Sequence, residues 1–168
     1  MHTSVEAVFN EAEKRYLTSD ELAVLGQYVD TMPNRLTLYR QLRDREVDLF
    51  QAVADQLQRE FSQTPETTLE QCVKNGVLAL RSCAMAMLMM DDNHLQDRLA
   101  WLKQSQQNYQ SQDMDATLYR LLDKQLAQMF SGQQVALLQP FLNAIQNALG
   151  DRARAIEAAE SISVSSLF

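Results

Sequence analysis

Apolar residues return along most of this chain at intervals of three and four, the spacing that gathers them on one side of an α-helix. Val5, Val8, Phe9, Ala12 and Tyr16 follow it first, predicting an amphipathic helix over residues 3–15 with its acids outward. Thr18 and Ser19 ahead of Asp20 and Glu21 supply a fresh N-cap, and Leu22, Leu25, Val29 and Met32 make the stripe of a second helix. Pro33 is expected to stop that helix, because the residue before a proline is pushed out of the α region. Tyr39, Leu42, Phe50, Val53, Leu57 and Phe61 then carry helix to about residue 62. The polar run Arg43 to Glu46 predicts a corner between two shorter helices there.

Thr64, Pro65 and Glu66 open the next helix, with proline at the first position where its missing N–H costs nothing. It runs to about Met90 and sets Leu69, Cys72, Val73, Gly76, Leu80, Cys83 and Met87 on one face. From Cys83 onward it is apolar all round, the mark of a helix packed on several sides, so it is expected at the centre. Asp91, Asp92 and Asn93 end it and cap a further helix through Leu95, Leu99, Leu102 and Tyr109. Residues 114–130 and 134–149 make two more, separated by Ser131 and Gly132. The Gln-rich stretch Gln104 to Gln112 reads as a solvated helix face. Residues 151–168 change in kind: an Ala, Arg and Glu segment able to extend as helix, then a Ser-rich end closing on Leu167 and Phe168, read as a frayed terminus or a docking peptide.

Composition narrows the picture. With 168 residues the chain suits one domain over residues 1–150, followed by a C-terminal extension over 151–168. Only 4 glycines and 3 prolines, with few β-branched residues, leave a sheet without turns or preferred side chains, so the fold class is all-α. A net charge of −7 repels nucleic acid and anionic lipid. The longest wholly apolar stretch, Cys83 to Met90, is too short to insert in a membrane, and the acidic start Met1 to Glu13 is unlike a signal peptide, which predicts a cytoplasmic protein.

Candidate chemistry is sparse. Two histidines, His2 and His94, supply no triad, no multi-His metal site and no convincing axial haem ligand, and there is no Gly-rich phosphate loop, so an enzyme is not expected. Asp91 and Asp92 read as caps. Cys72 and Cys83 stand three helical turns apart, about 16 Å at 1.5 Å per residue, so they can share neither a disulfide nor a metal. Cys72 lies among Gln71, Lys74 and Asn75, and Cys83 among Ala and Met; Cys72 is therefore expected to be the more reactive thiol.

Two segments carry a resemblance. Glu11 to Leu22, EAEKRYLTSDEL, resembles the Ala-x-x-Arg-Tyr-Leu-Ser-x-x-Glu-Leu signature of the phycobiliproteins, the antenna subunits of cyanobacteria and red algae. Cys72 to Asp92, CVKNGVLALRSCAMAMLMMDD, is similar to the family's Cys-x-Arg-Asp-x4-Leu-Arg segment, with Cys72, Leu80, Arg81 and Asp91 in register. The likeness spans residues 4–150 and implies a globin-like fold with an N-terminal helical pair that packs on a partner subunit. It also implies a cross-subunit pairing of Glu11 with Arg81, beside Tyr16. A linear tetrapyrrole (bilin) held as a thioether on Cys72, with Lys74 and Asn75 at the family's arginine and aspartate positions, is the implied cofactor, and no metal. Asn75 carries no negative charge, and Met85 stands where tyrosine is usual, so the chain reads as a divergent paralogue of the allophycocyanin and phycocyanin subunits. Implied partners are a second copy or another phycobiliprotein subunit within the phycobilisome, at the cytoplasmic face of the thylakoid. Two functions follow: a bilin-binding antenna subunit, or a pigment-free assembly protein that keeps only the family's interface.

Overall fold

The computed structural model describes residues 3–12 and 15–165, which form six helices and no strand. The first, α1, spans Thr3–Ala12, with Val5 and Val8 buried and Phe9 half exposed. Thr18 caps α2, Ser19–Glu60, through a reciprocal capping box: the Glu21 backbone N–H donates to the Thr18 side chain, and the Thr18 backbone N–H donates to the Glu21 carboxylate at 2.7 Å. Arg15 closes on the same carboxylate at 2.8 Å and holds the Glu21 pKa down to about 2.

Two expected breaks in α2 are absent. Pro33 sits inside the helix, and because it and Val29 are both exposed, the carbonyl that proline cannot serve faces the wet side. Thr37 Oγ1 also donates back to the Pro33 carbonyl at 2.8 Å. The run Arg43 to Glu46 makes no corner: it is an outward stretch of helix with side-chain partners of its own, Arg43 on Asp44, Glu46 on Arg81, and Arg45 on the Met129 carbonyl.

The next helix, α3, spans Glu66–Met89, with Pro65 as its N-cap residue and Met90 in the left-handed conformation that closes its C-terminus. It touches every described element except α1, the central position its composition predicts. By length and apolarity α3 would pass for a membrane span, but its apolar residues are mostly buried against the other helices. Asp91 accepts from the Asn93 N–H and starts a 3-10 turn, Asp92–Leu95, which leads into α4, Gln96–Tyr109. Then come α5, Gln112–Met129, and α6, Gly132–Ser165. Ser131 caps α6, its Oγ accepting from the Gln134 N–H at 3.3 Å. The helix runs past residue 150 without interruption, so no break separates the domain from its extension; Leu167 and Phe168 lie outside the described residues.

The core is one leucine-rich cluster between α2, α3, α5 and α6, including Leu49, Leu57, Leu80, Leu122, Leu142 and Ile145. One cation sits in it. Arg35 is 2% exposed and among the described residues no carboxylate pairs with it; its guanidinium donates to the carbonyls of Tyr28 and Leu88 and stacks 4.7 Å over the Tyr28 ring. Leu88 lies in the last turn of α3, whose orphan carbonyls carry partial negative charge, so Arg35 caps α3 from α2.

Candidate functional site

Buried polar groups cost free energy unless hydrogen-bonded, so their location marks where a fold is specialised. Seven buried polar or charged side chains occur among the described residues, and five of them, Asn75, Ser105, Gln106, Ser111 and Asp115, gather where the N-terminal half of α3 meets α4 and α5. Cys72 stands at the centre. It is 2% exposed, and its thiol donates to Asp115 Oδ1 at 3.1 Å. The other Asp115 oxygen accepts from Ser111 Oγ at 2.9 Å.

That arrangement reverses the expected order of the two thiols. Burial pushes Cys83 up to about 12. Cys72 is pushed higher still, because burial is joined by the adjoining Asp115 carboxylate, which repels a thiolate and holds the proton on sulfur. Polar neighbours in sequence suggested an open, reactive Cys72; the carboxylate that closes it comes from another helix. Asp115 is raised in turn by burial, against the opposing help of hydrogen bonds from Cys72, Ser111 and Gln106.

Asn75, one turn along α3 from Cys72, is fully engaged. Its Oδ1 accepts from Gln71 Nε2 at 2.8 Å and its Nδ2 donates to Ser105 Oγ at 2.8 Å. Lys74 points the other way, exposed and 3.4 Å from Glu70. The predicted trio therefore divides, with Cys72 and Asn75 inside and Lys74 in solvent.

Sequence reading missed the wall opposite. Asp115, Tyr119 and Asp123 recur every four residues and line one cleft of about 340 Å³ with Arg120, Gln106 of α4 and Gln146 of α6. Tyr119 is buried and its hydroxyl is raised well above its ordinary pKa by burial. Gln146 Nε2 donates to Asp123 Oδ2 at 2.9 Å, while Asp123 Oδ1 is buried with no hydrogen-bond partner, alone among the described side chains in that respect. Burial raises its pKa as well, against opposing hydrogen bonding from the Gln146 and Gln139 side chains. Gln106 and Ser111, assigned to a solvated face, are buried here, whereas Gln104, Gln107 and Gln110 are exposed. The available signal was an acid, Asp115, in phase with the apolar residues Leu118 and Leu122 of α5.

The second predicted set lies elsewhere. Tyr16 is 99% exposed between α1 and α2, and Glu11 is 3.8 Å from Arg15. Arg81 does not meet Glu11 within the chain. It is exposed on α3 and forms a bidentate pair with Glu46, at 2.5 and 2.7 Å. Arg43, Arg81, His94 and Arg98 border a second cleft, about 420 Å³, with Tyr39 and Met85 at its apolar wall.

Comparison with curated proteins finds no match. The phycobilisome protein family matches residues 8–149, which takes in both motif segments, all of α2 to α5 and the first half of α6. With its all-helical, globin-like architecture and its cysteine-bearing central helix, the chain belongs to the phycobilisome protein family.

Proposed function

We propose that this chain is a phycobilisome subunit that assembles with a second phycobiliprotein chain, a copy of itself or another subunit, through α1 and the N-terminal half of α2. One observation carries the reading: of the nine large hydrophobic side chains left exposed among the described residues, six (Phe9, Tyr16, Leu22, Val24, Val29 and Leu36) belong to this short stretch. An apolar face of this kind is an interaction site. Charge complements it, since α1 carries Glu6 and Glu11, while the cleft of about 420 Å³ is bordered by Arg43, Arg81 and Arg98. A Glu11 to Arg81 pair across the interface would draw Arg81 from Glu46. Such assembly would place the chain with the phycobilisome at the thylakoid surface.

Sedimentation tests it. Leu22→Asp, far from the core, is expected to leave a monomer, alone or in mixtures with phycobiliprotein subunits. Glu11→Arg and Arg81→Glu should each weaken pairing, and the double exchange should restore it. Unchanged sedimentation of Leu22→Asp refutes the reading.

A second reading, covalent attachment of a bilin to Cys72, is favoured by the cleft beside that thiol. The residues fit such a group: a thiol, two acidic side chains and one unsatisfied acceptor oxygen line or adjoin a single cleft, and Arg120 at the same cleft is a cation for a propionate. Lys74 faces solvent, so Arg120 takes that role. A bound bilin would supply absorption of visible light. Incubation with phycocyanobilin, with and without a lyase, followed by weighing the protein, decides between this and the pigment-free alternative; no adduct, or one that survives Cys72→Ala, rules for the latter.

A further inference from the structure

We propose that the face of α5 carrying Asp115, Tyr119 and Asp123 is the acceptor wall for the pyrrole N–H groups of a linear tetrapyrrole, the task for which Asn75 is unsuited. The proposal rests on the bilin reading above and adds to it the residues that would recognise the pigment. Asp123 Oδ1 is the strongest argument. A buried carboxylate oxygen without a hydrogen-bond donor costs free energy, and a ligand rich in N–H groups would remove that cost on binding. Asn75 cannot take this part, since Gln71 and Ser105 already use both ends of its amide.

Geometry ties the wall to the attachment point. Asp115 both lines the cleft and touches the Cys72 sulfur at 3.1 Å, so a group tethered to Cys72 starts at one end of the row Asp115, Tyr119, Asp123. Two acidic side chains on one helix face suit a ligand that presents several donors along its length. Arg120, bonded to exposed Glu60 at 3.1 Å, is free to turn to a ligand carboxylate, because an exposed ion pair holds weakly. The cleft of about 340 Å³ is at the small end of small-molecule sites and would take part of a linear tetrapyrrole, with the rest lying along the surface.

The test separates recognition from attachment. Cys72→Ser keeps a hydroxyl donor to Asp115 and cannot form a thioether, so phycocyanobilin binding to it, followed by absorbance titration, reports the pocket alone. In that background Asp123→Asn and Asp115→Asn should each weaken binding about tenfold or more, because each removes a charged acceptor. Asn75→Ala should change it less than twofold. Asp123 is only partly buried, and circular dichroism of its variant should match the parent. Affinity unchanged in both aspartate variants, while the parent binds and the native thiol forms an adduct, overturns the acceptor wall and leaves the bilin reading standing. No binding by the parent and no adduct on the native thiol overturns both.

Discussion

Gly76 is where the packing of this fold and the chemistry of its site meet. A Cβ at that position would lie 2.8 Å from Leu118 Cδ2 and 3.2 Å from Phe50 Cε1, closer than carbon atoms approach without displacement. Leu118 and Phe50 are themselves buried, so neither has open space to enter. Two effects of Gly76→Ala oppose each other. Replacing glycine inside a helix gains about 1 kcal/mol of helix propensity, whereas adding a methyl group to a filled core costs about 1–3 kcal/mol. Packing wins, and a net loss of about 1 kcal/mol is expected from urea denaturation. The displacement also has a direction. Cys72 lies one turn before Gly76 on α3, and Asp115 one turn before Leu118 on α5, so pushing Leu118 away lengthens the Cys72 to Asp115 contact. Alkylation of Cys72 by iodoacetamide at mildly alkaline pH should therefore run faster in the variant. A gain of about 1 kcal/mol with unchanged labelling would refute the reasoning, since it would mean that Leu118 yields at no cost and that Gly76 sets no distance between α3 and α5.

Two further outcomes follow from the buried charges. Asp115 has a folded pKa above its unfolded value, so its favourable contribution is complete below the ordinary carboxylate range and is lost as pH rises through the folded pKa. Asp115→Asn should accordingly be at least as stable as the parent at pH 7 and lose that advantage at pH 4, as checked by denaturation at both values; a variant less stable at pH 7 contradicts the sign. Arg35→Ala strips the last turn of α3 of a charged donor and should cost about 2 kcal/mol or more in thermal unfolding. Arg35→Lys should not restore it, because one ammonium does not replace a planar fork bonded to Tyr28, Thr31 and Leu88 together, and full recovery with lysine would show that charge alone suffices.

What the sequence disclosed and what it hid divide along a physical line. Periodicity, caps and breakers are local, and they placed the start of α2, the whole of α3, the cap at Asp91 and the junction at Ser131 to within a residue or two, while the first helix, read over 3–15, spans Thr3–Ala12 and the 3-10 turn after Asp91 was not foreseen. Pro33 misled because a proline's effect depends on whether the freed carbonyl is wet or dry, which only the fold decides. The run Arg43 to Glu46 misled for the same reason: its charges face outward and find partners on α3 and near the end of α5. The site was half legible. Cys72 and Asn75 were visible as a motif on one helix, but their partners Asp115 and Ser105 lie 43 and 30 residues away on α5 and α4, and no local rule reaches that far.

The same distance changes what a matched cysteine means. On sequence alone, Cys72 reads as a thiol waiting among polar neighbours. In the fold its proton is held by a buried carboxylate, so anything that reacts with sulfur must first separate Cys72 from Asp115 or take the place of that contact. A small electrophile with few or no donors regains little of the lost Cys72 to Asp115 contact, so its reaction with the protonated thiol is expected to be slow. A ligand with N–H groups placed as proposed would satisfy Asp115 and Asp123 as it enters, and so would offset the cost of parting Cys72 from Asp115. On the acceptor-wall proposal the closed thiol would be a filter as much as a barrier, favouring ligands that hydrogen-bond to α5 over those that are merely reactive.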